Sequence, residues 1–229
     1  MTTCARRLYA RAAELDPGFA DARIFHAWTH WQHARSGFSA DPAADFALCR
    51  ALVDTLRAEG VASANLAHLD AVTHLMQGDY DRALEVTAEA VRLGPSRLFG
   101  FIPAAIVYIY AGRYPAAVEV LRRTIRAMPA TPNDTIYNLA MVSALTGDHT
   151  LAIALAEEYM ARVPKDLYAF TTLAVAYGLA GQGEKARQVI ARFRTVFPDY
   201  TLAAYGAHEP FRDPAELARV TAVLRAAGL

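Results

Sequence analysis

Three histidines with helical spacing are the side chains in this sequence most able to hold a metal ion. His26, His30 and His33 are four and three residues apart, which places them on one face of a helix where their rings can converge on a single ion. The favoured interpretation is that they pack against a neighbouring helix, with backbone or carboxylate partners, because His26, His30 and also His74 fall at packing positions of the repeat described below. A metal site is the alternative.

Three glycines ahead of a predicted helix have some likeness to a phosphate-binding loop. Gly178, Gly181 and Gly183 stand close together, but no strand precedes them and no Lys-Ser or Lys-Thr pair follows, as such a loop requires. We interpret these glycines as a turn between two helices.

Other residue patterns give no catalytic centre. We find no nucleophile elbow, no Cys-x-x-Cys pair and no Ser, His and Asp set that would converge, so we expect no catalytic residue and no cofactor. Two groups of arginines fall on outward-facing helices with acidic residues interspersed, which favours a solvated surface over a phosphate or nucleic-acid site. These arginines are Arg122, Arg123, Arg126, Arg187, Arg192 and Arg194.

Amino-acid composition limits which partners the protein can bind and in which compartment it is expected. The 229 residues are 54% hydrophobic and carry 23 basic and 23 acidic side chains, a balance that argues against a dedicated nucleic-acid binder or a polybasic membrane tether. The two cysteines, Cys4 and Cys49, fit a reducing compartment. The longest apolar run, residues 98–111, is too short to span a bilayer, and the first twenty residues lack a secretory core. We expect a cytoplasmic protein.

Two residue types recur along the sequence with the same period, which indicates an internal repeat. The side chains discussed above are therefore positioned by this repeat. The recurring glycines and prolines both have spacings of 34, 35 and 34 residues. They are Gly78, Gly112, Gly147 and Gly181, and Pro95, Pro129, Pro164 and Pro198.

Each repeat is predicted to be two antiparallel helices. Apolar residues in 66–76 and 84–93 recur at three- and four-residue spacing, the glycine suits a left-handed turn, and the proline stops the second helix. Small residues early in the second helix permit close helix packing, and they are Ala83, Ala117, Ala152 and Ala186. One hairpin cannot bury its apolar face, so successive hairpins must stack.

These units resemble the tetratricopeptide repeat. The third unit matches the family pattern at Phe101, Ala105, Tyr108, Gly112, Tyr114, Ala117, Leu121 and Pro129. The fifth matches at Phe170, Ala174, Tyr177, Gly181, Ala186, Ile190, Phe193 and Pro198. The resemblance implies an all-α, right-handed superhelical solenoid of helical hairpins that binds protein.

The repeat frame also predicts boundaries along the chain. It gives a leading half-repeat at 1–19, repeats at 20–62, 63–96, 97–131, 132–165 and 166–199, and a capping segment at 200–229. In the first repeat, helices are predicted at about 20–34 and 42–59 around an irregular insertion at 36–41, with Asp41 as N-cap before Pro42. Asp213 and Pro214 are predicted to begin a last amphipathic helix.

The resemblance further implies a concave groove lined by fixed positions of each first helix. The candidate partner-binding residues at those positions are Ile24, Trp28, Trp31, Gln32, Asn65, His68, Val72, Met76, Phe99, Ile102, Ile106, Tyr110, Tyr137, Met141, Tyr168 and Thr171. This lining is mostly apolar and aromatic, as a bound peptide or amphipathic helix would require. The alternative is a superhelix tight enough for the groove to be filled by the protein's own C-terminal segment or by neighbouring side chains.

A narrower resemblance concerns two regions, one near each end of the sequence, with two segments in each. Residues 27–31 and 35–42, together with 210–217 and 224–229, are similar to the C-terminal repeat region of bacterial class III adenylate or guanylate cyclases, whose catalytic domain has no counterpart here. We therefore expect a regulatory or scaffolding module, with the non-catalytic fragment of a cyclase as one setting.

The expected partner is a peptide, a neighbouring domain or a second copy of the chain, bound through the groove or the N-terminal helix. No nucleic-acid or membrane partner is expected. A small-molecule or metal sensor is the alternative class.

Overall fold

The computed structural model describes residues 2–35, 39–128 and 130–229. Residues 36–38 of the predicted insertion, and Pro129 of the proline series, lie outside the described residues. The chain divides into two compact units, residues 1–107 (unit 1) and 108–229 (unit 2). The described residues contain thirteen α-helices and one isolated β-bridge, between Ser96 and Gly100, which confirms the all-α prediction.

Unit 1 is built from helical hairpins. Its helices are α1 (Thr2–Leu15), α2 (Ala20–Arg35), α3 (Pro42–Ala58), α4 (Ala64–Met76) and α5 (Tyr80–Leu93), followed by α6 (Ile102–Tyr110), in which the division between units falls. Helix α2 packs against α1 and α3, and α4 packs against α5 and α3. The predicted cap of α3 is confirmed, since the Ala44 amide donates to Asp41 Oδ1 at 3.0 Å and Pro42 occupies the first turn.

A buried ion-pair network joins α3 to α4. The Asp70 carboxylate, 6% exposed, accepts hydrogen bonds from Arg50 at 2.6 Å and from Arg57 Nε at 2.9 Å. Arg50 also donates to the Thr73 hydroxyl at 2.8 Å. Two guanidinium groups therefore share one carboxylate. Burial of the Asp70 charge is unfavourable, and an arginine at each carboxylate oxygen compensates for it.

Unit 2 repeats the hairpin arrangement and ends in a cap. Its helices are α7 (Tyr114–Ala127), α8 (Asn133–Leu145), α9 (His149–Arg162), α10 (Leu167–Leu179), α11 (Gly183–Val196), α12 (Leu202–His208) and α13 (Pro214–Ala227). Helix α8 packs against α9, α10 against α11, and α13 against both α10 and α11. Phe170, Phe193 and Phe197 form an aromatic cluster between α10 and α11, with ring centroids 5.1 to 6.3 Å apart.

The repeated small residues have the predicted roles. Gly78, Gly112, Gly147 and Gly181 all have left-handed φ angles, of 76°, 72°, 88° and 75°, which only glycine adopts without strain. The four alanines five positions later are buried at 0 or 1% exposure. Pro95, Pro164 and Pro198 each stand two residues beyond the end of a second helix.

The structure also adds to the prediction for the C-terminal segment. Asp213 caps α13 by accepting from the Ala215 amide at 2.8 Å, as expected. The residues in which the repeat pattern fades form the short helix α12, capped by Thr201. Across the described part of the chain, every helix is too short or too polar to traverse a bilayer.

Candidate functional site

The histidines of α2 meet a carboxylate from α3. His30 Nδ1 donates to Asp45 Oδ1 at 2.6 Å, and His33 Nδ1 donates to Asp45 Oδ2 at 2.7 Å. Arg6 lies 3.7 Å from the same carboxylate. Although partial burial acts to raise the pKa of Asp45, the hydrogen bonds from His33 and His30 hold it well below its usual range.

This arrangement uses the histidines as hydrogen-bond donors between helices. His26 contacts His30 edge to face, with ring centroids 5.1 Å apart, and burial, His30 and Arg6 together lower the pKa of His26. Among the described residues, no group of three or more His, Cys, Asp and Glu side chains has the geometry to hold a metal ion. His30, His33 and Arg6 instead converge on the Asp45 carboxylate.

The candidate groove residues of unit 1 are mainly interior. Trp28, 3% exposed, lies with its ring 5.3 Å from that of Trp31 and 4.9 Å from that of Phe99. The buried candidates are Ile24, Trp28, Trp31, Asn65, His68, Val72, Ile102 and Ile106, and the partly exposed ones are Gln32, Met76 and Phe99.

The polar members of that set are engaged within unit 1. Asn65 donates to Asp21 at 3.0 Å and accepts from the Arg97 amide at 2.9 Å. His68 Nε2 donates to the Gly94 carbonyl at 3.0 Å, and burial lowers the pKa of His68 to about 4. These side chains hold helix ends together and leave little polar surface for a ligand.

In unit 2 the candidate residues include an aromatic pair of which one ring is partly exposed. Tyr110, Tyr137, Met141 and Thr171 are buried, whereas Tyr168 is partly exposed. The Tyr168 ring stacks on the Tyr137 ring at 5.2 Å with an interplanar angle of 29°. Tyr137 in turn lies 5.7 Å from Tyr159 of α9.

Two carboxylates flank these rings at the starts of α8 and α10. Asp166 caps α10 by accepting from the Tyr168 amide at 2.9 Å, and it also accepts from the Tyr159 hydroxyl at 3.0 Å. Asp134 is exposed as a residue. Its carboxyl group is partly desolvated by surrounding atoms, and this desolvation, together with the nearby Asp166 charge, raises the pKa of Asp134. We call Asp134, Tyr137, Asp166 and Tyr168 the aromatic–acidic patch.

The C-terminal segment of unit 2 covers another part of the candidate groove. Phe211 packs edge to face on Tyr110, with ring centroids 4.9 Å apart, and the Arg212 amide donates to the Tyr110 carbonyl at 2.8 Å. The Tyr110 hydroxyl donates to buried Glu209. Tyr110 is thus enclosed by residues more than ninety positions later in the sequence.

Helix α13, which follows in the same segment, contacts α8 and α10. Arg219 donates to the Leu145 carbonyl at 2.9 Å. A Cβ atom on Gly178 would lie 2.1 Å from Val223 Cγ1, so the glycine permits close approach of α13. Gly181 and Gly183 lie in the α10–α11 turn and at the start of α11, as predicted.

A cavity of about 370 Å³ lies beside the same segment. The Tyr114 hydroxyl donates to Glu216 at 3.2 Å, and burial and Glu216 raise the pKa of Tyr114 to about 12. The cavity walls combine aromatic rings with charged groups: Tyr110, Ala111, Gly112, Tyr114, Phe211, Arg212, Asp213, Pro214 and Glu216.

The two arginine groups lie on the surface of unit 2. Arg126 pairs with Glu119 at 3.2 Å and Arg187 pairs with Glu184 at 2.6 Å. Arg122, Arg192 and Arg194 are also exposed, and Arg123 is partly exposed. This placement agrees with a solvated helical surface.

Comparison with known proteins identifies the fold. No family model and no curated protein matches the sequence, but solved structures do. A tetratricopeptide repeat protein from Parabacteroides merdae ATCC 43184 superposes with a TM-score of 0.58 at 13% identity, over 99% of this chain and 85% of that chain. The fold is that of tetratricopeptide-repeat proteins.

Two further solved structures share this fold. A chain of the APC/C hetero-tetramer Cut9–Hcn1 has a TM-score of 0.64 at 13% identity, over all of this chain and 53% of that one. PilW, a widely conserved type IV pilus biogenesis factor, has a TM-score of 0.56 at 18% identity, over 88% of each chain. The tetratricopeptide-repeat frame accounts for the placement of Tyr137 and Tyr168 on neighbouring first helices.

Sequence reasoning missed the carboxylates that complete these clusters. Asp45, twelve residues beyond His33, had no periodic signal, and its pairing depends on how α3 lies against α2. Asp166 had a usable signal, since an aspartate before a helical run predicts an N-cap. Glu209 and Phe211 stand outside the repeat, and no spacing connects them with Tyr110.

Proposed function

We propose that this chain is a protein-recognition module that binds a peptide segment carrying a basic side chain at the aromatic–acidic patch of unit 2. The proposal depends on the stack of Tyr168 on Tyr137. Asp166 accepts from the Tyr168 amide, and Asp134 lies in the first turn of α8, three residues before Tyr137. The proposal assigns the chain no catalytic step of its own.

The chemistry of this patch is complementary to arginine or lysine. A guanidinium or ammonium group over a tyrosine face gains a cation–π attraction of about 0.5 to 2 kcal/mol. Adjacent carboxylates add charge-assisted hydrogen bonds. Tyr168 and Asp166 are both partly exposed, so a ligand reaches them without opening the core.

The tetratricopeptide-repeat fold supports a protein partner. One similar chain comes from a hetero-tetramer, Cut9–Hcn1, and another from a pilus biogenesis factor, PilW. The aromatic–acidic patch lies at first-helix positions, where the resemblance to this repeat family places the ligand-binding surface.

We further propose that recognition serves a regulatory or scaffolding role in the cytoplasm. The similarity of residues 27–31, 35–42, 210–217 and 224–229 to the repeat region of bacterial class III cyclases supports this setting. In that setting the ligand is a basic segment of the protein that the module regulates. Co-expression with a cyclase domain, followed by measurement of its nucleotide turnover with and without the module, tests this role.

A small-molecule sensor is a second candidate, favoured by the cavity of about 370 Å³ beside Tyr110 and Phe211. Ligand cavities of this size are common in small-molecule sites. A thermal-shift screen with nucleotides tests the cavity: a stabilising compound whose effect is lost on Tyr114→Phe favours the sensor. Because Tyr114 is outside the aromatic–acidic patch, that variant leaves peptide binding unchanged.

A peptide array tests the main proposal. In the array, arginine, lysine, glutamate or leucine occupies each position of a short peptide in turn. We expect binding to the arginine and lysine peptides, weakened by salt because carboxylates contribute, and reduced about tenfold or more by Tyr168→Ala or Asp134→Asn.

Matched variants control for loss of folding. Tyr80→Ala removes a partly exposed tyrosine from unit 1, and Asp199→Asn removes an exposed carboxylate from unit 2, and both are expected to bind as the unaltered chain does. Equal binding of glutamate and arginine peptides, or unchanged binding by Tyr168→Ala, contradicts the proposal.

A further inference from the structure

Helix α1 presents an apolar stripe to solvent. Leu8 is 61% exposed and Leu15 is 69% exposed, and Cys4 and Arg11 lie on the same face. These four residues, the α1 stripe, have spacings of four, three and four residues, which is the heptad spacing of a helix–helix seam. Leu8 and Leu15 lie two turns apart on this face, with Arg11 between them.

The other face of α1 is committed to unit 1. The Tyr9 ring packs 5.6 Å from the Phe25 ring of α2, and Arg6 donates to the Thr29 carbonyl at 3.3 Å. The helix is therefore held in place with its stripe outward. A ligand for the stripe needs no rearrangement of α1.

Charges beside the stripe favour a second copy of the same chain. Arg7 and Glu14 are seven residues apart, so they flank the same side of the stripe two turns apart. An antiparallel second copy, related by a two-fold axis near residues 10 and 11, places Arg7 of each copy opposite Glu14 of the other. The same register brings Leu8 of each copy within about half a turn of Leu15 of the other.

A parallel arrangement lacks this complementarity. It would place Arg7 and Glu14 of both copies at the same level, without the reciprocal pairing. Arg11 lies near the proposed axis, and its ion pair with Glu14 at 2.9 Å offsets the approach of two like charges. The formal net charge of zero adds no long-range repulsion between copies.

We propose that the chain forms a reversible antiparallel homodimer through the α1 stripe. The interface is isologous, as two-fold symmetry requires. It is independent of the proposed peptide recognition, because the aromatic–acidic patch belongs to unit 2. Each dimer would then present two patches, which raises its avidity for a ligand with repeated basic segments.

The size of α1 limits the strength of this dimer. Fourteen residues form a helix about 21 Å long, so the buried area falls below that of a standard protein interface of about 1,600 Å². We expect a dissociation constant of about 10 to 100 μM. The monomer and dimer should therefore exchange with protein concentration.

Sedimentation equilibrium of the full chain over a range of concentrations tests the dimer. The unaltered chain should move from monomer to dimer as concentration rises, whereas Leu8→Asp combined with Leu15→Asp should stay monomeric. Both leucines are exposed, so the double variant should keep its helical circular dichroism and its peptide binding. Leu151→Asp, at a 41% exposed leucine of α9, is the matched control and should still dimerise.

Cross-linking tests the antiparallel register. In a Cys4→Ser background, Arg11→Cys places a thiol beside the two-fold axis and should form an intermolecular disulfide under mild oxidation. Arg126→Cys, at a side chain of matched exposure on α7, should cross-link more slowly. A chain that stays monomeric at every concentration, or equal cross-linking at both positions, overturns the proposal and leaves the stripe to a different polypeptide.

Discussion

His68 shows how burial of one ionisable side chain links stability to pH. It is fully buried in α4, and burial lowers its pKa from 6.5 to about 4. The unfolded chain therefore binds a proton near pH 6.5 that the folded chain binds only near pH 4. Unfolding takes up a proton between these values, so the free energy of unfolding falls as the pH decreases from 6.5 to 4, by up to about 3 kcal/mol.

His68→Gln should flatten that part of the pH profile. Glutamine keeps an N–H donor for the Gly94 carbonyl but has no proton to gain. Urea unfolding at several pH values measures the slope for both proteins. Equal slopes between pH 6.5 and 4 would show that His68 does not contribute to the acid sensitivity.

Gly178 and Gly206 should respond oppositely to the same substitution. Gly178→Ala introduces a Cβ atom 2.1 Å from Val223, which forces α13 away from α10 and costs about 1 to 3 kcal/mol, more than the helix propensity gained. Gly206→Ala, within α12, has no neighbour within 4 Å and should be neutral or stabilise by up to about 1 kcal/mol. Thermal unfolding of the two variants checks the signs, and destabilisation of equal size in both would refute the close-approach explanation.

At the scale of elements, the α3–α4 contact depends on Asp70. Asp70→Ala leaves Arg50 and Arg57 without their shared carboxylate and should lower the free energy of unfolding by about 2 to 4 kcal/mol. Asp54 pairs with the same Arg50 but is 65% exposed, so Asp54→Ala should cost less than about 1 kcal/mol. Urea denaturation of both variants makes the comparison, and similar losses would mean that burial does not set the strength of this network.

The helices were predictable because their signals are local. The glycine of each repeat predicts a left-handed turn, and the alanine predicts a close contact between the two helices. Both features depend on residues only a few positions away. Asp41 and Asp213 cap the helices that follow them, as their positions before Pro42 and Pro214 indicated. Among the described helices, α12 lacked a periodic signal, because its seven residues carry no full apolar period.

The site was less predictable because it depends on packing between distant segments. The repeat frame placed Tyr137 and Tyr168 on one surface, and they do stack. It also placed Trp28 and Ile106 on the groove, whereas both are buried in the structure. No period connects Phe211 with Tyr110.

At the scale of whole units, the C-terminal segment decides which surface is left for a ligand. In unit 2 it encloses Tyr110 and approaches Gly178, while the aromatic–acidic patch at the opposite ends of α8 and α10 stays accessible. The proposed cationic-peptide site therefore occupies a surface that this segment leaves accessible, in place of the continuous apolar groove expected from the sequence.

Nuclear magnetic resonance titration of the isotopically labelled full chain with an arginine-containing peptide from the array locates the peptide-binding residues directly. We expect saturable shifts in the backbone amides of Asp134, Tyr137, Asp166 and Tyr168, which disappear in Tyr168→Ala. Shifts confined to unit 1, or none at concentrations where the peptide binds, would contradict binding at the aromatic–acidic patch.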